Sequence, residues 1–256
     1  MASKTTNQSN EVHIAVRNLR KSYDGVEVLR GIELDIYRGK INIIIGGSGA
    51  GKSVFSRQLI RLEQPDSGQI LVDGIDIVPL SEWQLIPIRR KFGMVFQFGA
   101  LFDSMTVYEN VAFPLHEHTR MSRKEIHERV MDRLAALNVA HAASKLPAEI
   151  SGGMQKRVAI ARALVLEPEI LIYDEPTSGL DPITSRMVDD LIAETAERFG
   201  VTSVVITHDM ASVFRIGHWV SMLHKGRIEE STTPDRLRST SNPIVSQFLK
   251  ASGILD

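Results

Sequence analysis

Residues 46–53 read GGSGAGKS, which fits the pattern G-x-x-x-x-G-K-[ST]. Glycines let the backbone wrap so that several N–H groups point at one phosphate, and a helix that opens there adds its positive field. The lysine of such a loop reaches the β and γ phosphates, and its last hydroxyl ligates Mg²⁺. The stretch therefore predicts a nucleotide-phosphate site made by Gly46, Gly47, Ser48, Gly49, Ala50, Gly51, Lys52 and Ser53.

The flanking sequence supports this interpretation over a chance glycine turn. Residues 41–45 are dense in apolar side chains, which is typical of a strand buried on both faces of a parallel sheet. The spacing of residues 53–62 predicts a helix directly after the loop. A buried strand, a glycine-rich turn and a helix, in that order, are the context in which the motif binds phosphate.

A second apolar run, at residues 170–173, ends in the two acids Asp174 and Glu175. A carboxylate where a strand emerges suits Mg²⁺ held through its water shell, so Asp174 is a predicted metal-site residue. Glu175, one step on, would orient and polarise a water in line with the γ-phosphate. Lys52 and Asp174 are far apart in the sequence, and a small GTPase or nucleoside kinase would have much less between them. We therefore expect a large insertion.

Apolar periodicity changes along the chain. Alternation at residues 12–16 and 32–36 predicts half-buried antiparallel strands. Residues 100–165 favour helices, one of them opened by a capping box at Ser122 and Glu125. Beyond them the pattern predicts strands at 170–173, 202–206 and 218–223, helices at about 183–199 and 210–216, and a hairpin turn at 225–226 into 227–229.

Composition excludes several classes of protein. The 256 residues include no cysteine, which rules out a disulfide scaffold, a thiol nucleophile and zinc sites with sulfur ligands. A formal charge of −1, from 30 basic and 31 acidic residues, argues against a nucleic-acid partner. Apolar runs are far shorter than the roughly 20 residues of a bilayer span. The polar first ten residues are expected to be a disordered tail and not a signal peptide.

Residues 150–154, ISGGM, open a predicted helix and complete a family pattern. The sequence here closely resembles the ATPase subunits of ABC transporters. The resemblance implies that Ser151, Gly152 and Gly153 bind the γ-phosphate of ATP held by the other subunit of a homodimer. Met154 stands where the family usually has glutamine, which leaves the contribution of that side chain open.

The other motifs of the family follow in order. The resemblance implies that Tyr23 stacks on adenine, although a surface tyrosine in a turn is the alternative. It implies that Gln97 touches Mg²⁺ and couples to the membrane subunit, and that the loop ending in Asp181 links the two active sites. His208 matches the histidine that contacts the γ-phosphate. The catalytic residues expected for this chain are Glu175, His208 and Gln97, and the expected metal-site residues are Ser53, Gln97 and Asp174.

This resemblance also implies the architecture. We expect an α/β fold with a P-loop NTPase core, an antiparallel β subdomain and an inserted α-helical subdomain. The cassette is expected over residues 11–250, with a RecA-like core at about 11–97 and 166–250 and the helical subdomain at about 98–165. Short tails are expected at residues 1–10 and 251–256.

Shorter stretches are similar to one subfamily, the ATPases of the Mla and Mce lipid-transport systems. They are residues 98–105, 107–111, 113–119, 181–184 and 247–249. This similarity implies an MlaE-like membrane permease, an MCE-domain lipid-binding protein and, in some relatives, a STAS-domain protein. It implies phospholipid movement between the inner membrane and the outer envelope, with the chain held at the cytoplasmic face of the inner membrane by the permease.

Alternatives remain open at this point. An importer for a small solute such as an amino acid would use the same motifs. A soluble ABC ATPase acting on ribosomes or DNA would call for a second cassette, a long coiled coil or a basic surface, none of which the sequence indicates. The apolar side chains Phe98, Leu101, Phe102 and Met105 could form a socket for the permease or pack internally.

Overall fold

Two β-sheets, nine α-helices and two 3₁₀ helices (Ala140–Ala142 and Pro147–Glu149) make up the part of the chain described by a computed structural model, residues 11–96 and 100–254. The predicted tail at 1–10 lies outside these residues, as do Gln97 and Phe98. The strands are β1 (Val12–Tyr23), β2 (Val26–Tyr37), β3 (Ile41–Ile45), β4 (Ser67–Val72), β5 (Ile75–Asp76), β6 (Phe92–Val95), β7 (Ile170–Asp174), β8 (Thr202–Thr207), β9 (Trp219–His224) and β10 (Arg227–Thr232). The helices are α1 (Lys52–Leu59), α2 (Glu82–Arg89), α3 (Val107–His118), α4 (Arg123–Ala136), α5 (Gly152–Leu164), α6 (Pro182–Phe199), α7 (Met210–Ile216), α8 (Pro234–Arg238) and α9 (Pro243–Ala251).

The larger sheet has the strand order β10-β9-β3-β8-β7-β6, and all its pairs are parallel except β10 with β9. All five residues of β3 are buried. Ile43 and Ile45 pack into the core on one face of the sheet and Ile44 into the core on the other, as predicted for a strand inside a parallel sheet. The carboxyl ends of β3, β7 and β8 therefore meet at one edge, where such sheets bind ligands.

The smaller sheet is antiparallel, with the order β2-β1-β4-β5. The strands predicted at 12–16 and 32–36 are present but longer, because β1 and β2 form one hairpin of two 12-residue strands. This arrangement and the parallel sheet confirm the predicted α/β architecture.

Helices α3, α4 and α5 fill the segment between β6 and β7, as the apolar spacing predicts. The capping box is confirmed, since the Ser122 N–H donates to the Glu125 carboxylate at 2.6 Å and the Glu125 N–H donates to the Ser122 hydroxyl at 3.3 Å. The subdomain boundaries near residues 97 and 166 stay predictions. Within the described residues, no helix combines the length and the apolar character that a bilayer span requires.

The helix after the glycine-rich loop ends earlier than predicted. The spacing predicts a helix to residue 62, whereas α1 ends at Leu59. Arg61 has a φ of 51°, in the left-handed region that interrupts a right-handed helix. Its guanidinium donates to the carbonyls of Ile77 and Leu80. The prediction over residues 60–62 is therefore wrong, because contacts with a distant loop turn the chain there.

The two sheets are joined at His13, a buried residue of β1. Its Nδ1 lies 2.7 Å from the Thr202 hydroxyl of β8, and that hydroxyl also accepts the Gly39 N–H. The Thr202 hydroxyl thus links the His13 ring to the Gly39 backbone. Nε2 points at the carboxylates of Glu169 and Asp73, at 3.5 and 3.6 Å.

The same carboxylates are paired with cations, since Arg38 and Lys91 each contact both of them. Burial lowers the pKa of His13 below its ordinary value, and the positive charge of Arg38 lowers it further. Asp73 and Glu169 act in the opposite direction. The folded protein therefore protonates His13 at a lower pH than the unfolded chain does.

We predict that the free energy of unfolding decreases as the pH falls from 7 to 5. The unfolded chain protonates His13 near its ordinary pKa of 6.5, whereas the folded chain does so only at lower pH. His13→Gln should remove part of this decrease, up to about 2 kcal/mol at pH 5. His218, whose pKa burial also lowers, supplies another part. Denaturant titrations at several pH values measure the free energy of unfolding of the wild type and of His13→Gln. The same pH dependence in both proteins would contradict the assignment to His13.

Candidate active site

The loop after β3 is built around the Lys52 side chain. Its ammonium donates to the carbonyls of Gly46 and Gly47 at 2.8 and 3.3 Å. Gly51 adopts a φ of 106°, a backbone conformation that L side chains rarely adopt. A Cβ on Gly46 would lie 2.3 Å from the Leu223 carbonyl oxygen of β9. The glycines therefore allow both the turn of the loop and its close contact with the sheet.

A cleft of about 730 Å³ opens beside this loop. Its volume is typical of small-molecule sites. The backbone N–H groups at the start of α1, together with Lys52, provide the positive field that a polyphosphate needs. The loop residues Gly47, Ser48, Gly49, Ala50, Gly51, Lys52, Ser53 and Val54 line the cleft, together with Val28, Glu175, Ser178, His208, Phe248 and Ser252.

Glu175 is held by two partners at the end of β7. Its Oε1 lies 3.3 Å from the Lys52 ammonium, and its Oε2 lies 2.8 Å from Nδ1 of His208. The structure thus brings together the predicted phosphate-binding lysine, the predicted water-orienting carboxylate and the predicted histidine, from three separate strand ends. Glu175 and His208 together can orient a water molecule, and the Glu175 carboxylate can accept a proton from it.

The Glu175 backbone is also strained. Its φ is 48°, in the left-handed region that costs a non-glycine residue about 1–2 kcal/mol. The Glu175 N–H donates to the Ile206 carbonyl of β8 at 2.8 Å, which holds the residue in this conformation. Strain of this kind concentrates at functional sites because the surrounding structure must impose it.

Asp174 is half-buried beside Glu175. Burial raises the pKa of the Asp174 carboxyl, the neighbouring Glu175 charge raises it further, and Lys52 and Arg57 lower it. A carboxylate in such surroundings gains from a nearby cation, and the Ser53 hydroxyl in the cleft adds a second oxygen donor. These oxygen groups fit a Mg²⁺–nucleotide complex. Gln97, the third predicted metal-site residue, lies outside the described residues.

Tyr23 lies outside the lining of the cleft. Its hydroxyl donates to Glu63 at 2.5 Å, and the Lys21 ammonium lies 5.3 Å from the centre of its ring. About a third of the side chain is exposed. The stacking role of Tyr23 stays a prediction. Val28, which no sequence pattern indicates as a site residue, lines the cleft.

The predicted signature residues Ser151, Gly152 and Gly153 lie in a different cavity, of about 610 Å³. Ser151 caps α5 by accepting the Met154 N–H at 3.3 Å. Ser178 lines both this cavity and the cleft beside Lys52. A single chain therefore separates the signature residues from its own phosphate-binding loop.

Asp181 caps α6, and its carboxylate accepts the Ile183 and Thr184 N–H groups at 2.9 and 3.1 Å. This local role is apparent from the Asp-Pro sequence at a helix start. Phe248 and Ser252 of the C-terminal segment line the cleft without having been predicted. Apolar spacing at 244–249 would have indicated a helix there, but no sequence signal indicates that it reaches the cleft.

A family model described as ABC transporter matches residues 29–178. The chain belongs to the ABC transporter family. It is thus an ATP-binding cassette that hydrolyses ATP.

Three relatives represent different named systems. The probable ribonucleotide transport ATP-binding protein mkl of Mycobacterium leprae is 40% identical over 95% of this chain and 70% of its own length. The intermembrane phospholipid transport system ATP-binding protein MlaF of Escherichia coli K12 is 41% identical over 90% of this chain and 84% of its own. The methionine import ATP-binding protein MetN of Carboxydothermus hydrogenoformans is 41% identical over 92% of this chain and 71% of its own length.

Solved ABC cassettes share the fold. The structure of cbiO1 from Clostridium perfringens superposes with a TM-score of 0.83 at 33% identity, covering 95% of this chain and 97% of that one. A dimeric post-hydrolysis state of the cassette MJ0796, bound to ADP and Pi, gives 0.75 at 34% identity over 86% and 98%. These matches confirm the predicted ABC ATPase cassette.

We predict that Glu175→Gln binds ATP but hydrolyses it very slowly. The amide keeps the size of the side chain but cannot accept a proton, so kcat should fall by roughly 10²- to 10⁴-fold. Single-turnover hydrolysis and equilibrium ATP binding measure the two properties separately. Glu128→Gln, on the exposed face of α4, is the matched control. Wild-type turnover in Glu175→Gln would exclude the assigned role.

Proposed function

We propose that the chain is the ATP-binding and ATP-hydrolysing subunit of an ABC transporter that moves phospholipid between the inner membrane and the outer envelope. Such a system maintains the lipid asymmetry of the outer membrane. The observation that carries this proposal is the 41% identity to MlaF, which extends over 90% of this chain and 84% of MlaF.

ATP binding would use the cleft beside Lys52. The loop N–H groups hold the phosphates, Lys52 neutralises their charge, and the exposed ring of Tyr23 receives the adenine. Mg²⁺, when bound through Ser53, Asp174 and Gln97, supplies positive charge on the phosphate oxygens. Glu175 then orients the attacking water, while His208 holds the Glu175 carboxylate through the 2.8 Å contact of its Nδ1.

Hydrolysis would require a homodimer. In one chain, Ser151, Gly152 and Gly153 line a cavity apart from Lys52. A head-to-tail partner would bring its own signature residues to this chain's γ-phosphate, where the free N–H groups of α5 and the Ser151 hydroxyl can bind it. The dimeric state of the similar cassette MJ0796 supports this arrangement. ATP binding closes the dimer and hydrolysis resets it.

A groove between β6 and α3 is the proposed socket for the permease. Phe102 is 42% exposed in it, and its ring centre lies 5.1 Å from that of Phe113. Phe96, also in the groove, is 43% exposed. Leu101 packs instead against the core. Exposed aromatic side chains of this kind are typical anchors for a partner helix.

The partners proposed for this subunit are an MlaE-like permease and an MCE-domain lipid-binding protein. A STAS-domain protein is a further proposed partner. The permease would hold the chain, as a peripheral subunit, at the cytoplasmic face of the inner membrane. Mg²⁺ is the proposed metal cofactor of ATP.

An importer for a small solute such as an amino acid is the second candidate. It is favoured by the 41% identity to MetN over 92% of this chain. The two candidates share the ATPase chemistry and differ in the protein that carries the substrate: an MCE-domain protein for phospholipid and a solute-binding protein for an importer.

We predict that the tagged chain co-purifies from its own cell membranes with an MlaE-like permease and an MCE-domain protein. Phe102→Ala should reduce the permease yield several-fold, because the groove loses its exposed aromatic anchor. Val26→Ala, at an exposed apolar position on the smaller sheet, is the control and should leave the yield unchanged. Quantitative mass spectrometry of the purified complexes gives the yields. Recovery of a solute-binding protein with no MCE-domain protein would favour the importer.

A further inference from the structure

A second contact lies beside the Glu175–His208 hydrogen bond. The Thr177 hydroxyl donates to Oδ2 of Asp209 at 3.3 Å. Thr177 is two residues after Glu175 and is 5% exposed, and Asp209 directly follows His208. Two side-chain contacts thus join the loops after β7 and β8. One is between Glu175 and His208, and the other is between Thr177 and Asp209.

Asp209 is held from several sides. Its Oδ1 accepts the Ala211 N–H at 2.8 Å at the start of α7, and its own N–H donates to the Thr207 hydroxyl at 3.0 Å. Oδ1 of Asp209 therefore caps α7, and Oδ2 accepts the hydrogen bond from the Thr177 hydroxyl. His208 lies between these fixed residues, but its side chain is 58% exposed. The direction of the imidazole consequently depends on how its loop is held.

Helix α7, which begins after this loop, is anchored by a buried charge. Asp189 of α6 is fully buried, and its Oδ2 accepts a hydrogen bond from Nη1 of Arg215 of α7 at 2.7 Å. Burial raises the pKa of Asp189, the Asp209 charge raises it further, and Ser212 and Arg215 of α7 lower it. The Arg215 side chain is partly exposed, but it is a charged partner of the buried Asp189 carboxylate, so the contact links α7 to α6.

Helix α6 continues the chain from the loop at 178–181. Ser178 of that loop lines both the nucleotide cleft and the signature cavity. Asp181 caps α6, and Asp189 lies two turns further along the same helix. A rigid helix thus connects the loop between the two cavities with the ion pair that holds α7.

We propose that Thr177, Asp209 and Asp189 are positioning residues that keep the His208 imidazole on the Glu175 carboxylate. Through α6 they tie this bond to the position of the loop at 178–181. The inference rests on the proposed roles of Glu175 and His208 in hydrolysis. None of the three residues needs to touch ATP, so their loss should slow turnover without weakening nucleotide binding.

The test is steady-state ATPase kinetics of the full chain with Thr177→Val. Loss of one hydrogen bond should lower kcat roughly three- to tenfold and leave KM for ATP unchanged. Thr177→Ser, which restores the hydroxyl, should restore kcat. Thr195→Val is the matched control, since Thr195 is equally buried and its hydroxyl donates within α6 to the Leu191 carbonyl at 2.7 Å. It should leave kcat unchanged.

A double-mutant comparison separates positioning from loss of stability. If Thr177 acts through His208, Thr177→Val should have no further effect on kcat in a His208→Ala background. Asp189→Asn should lower kcat in the same direction, again only when His208 is present. Thermal unfolding identifies any variant that does not fold. If Asp189→Asn does not fold, the kcat of Thr177→Val alone tests the inference.

Three results would overturn the inference: a kcat for Thr177→Val equal to that of Thr195→Val, an equal loss of activity with and without His208, or a raised KM at unchanged kcat. Full turnover by Glu175→Gln would instead exclude the proposed hydrolytic role itself. A slow Glu175→Gln together with an unaffected Thr177→Val would reject only the positioning residues.

Discussion

The site depends on the contacts of the Lys52 ammonium. It donates to the carbonyls of Gly46 and Gly47 and lies 3.3 Å from the Glu175 carboxylate. The chain's own acceptors thus surround it where a nucleotide phosphate would come. Because two carbonyls and a carboxylate compete for one cation, binding of a polyphosphate must exchange some of these contacts.

The parallel sheet makes this contact possible. β3, β8 and β7 are neighbours in the sheet, so the loops that follow them end side by side although their sequence positions are far apart. Asp174 and Glu175 are adjacent in the sequence, and the fold leaves both of them half-buried at this edge of the sheet. Burial, and then the neighbouring Glu175 charge, raise the pKa of Asp174, so a cation beside its carboxylate would stabilise the charged form.

Local patterns predicted the parts of the fold whose residues carry their own signal. The buried strand β3, the glycine-rich loop and the capping box at Ser122 each depend on neighbours in the sequence. Strand β6 carried no such signal, since it has four residues and contains Gly93. A Cβ there would lie 2.5 Å from the Leu171 side chain of β7, so only tertiary packing explains that glycine. The end of α1 was missed for a similar reason, because Arg61 turns the chain toward a distant loop.

The sequence by itself determined which groups the candidate site offers: the glycine-rich loop, the acids after β7 and the histidine after β8, together with the family to which they point. Only the tertiary structure decided which of these groups meet. It places Lys52, Glu175 and His208 together, keeps Ser151 in a separate cavity and brings Phe248 to the cleft. It also sets the left-handed backbone of Glu175. The physical reason is that residue type and spacing fix local hydrogen bonds and helix ends, whereas contacts between distant segments depend on how whole strands and helices pack.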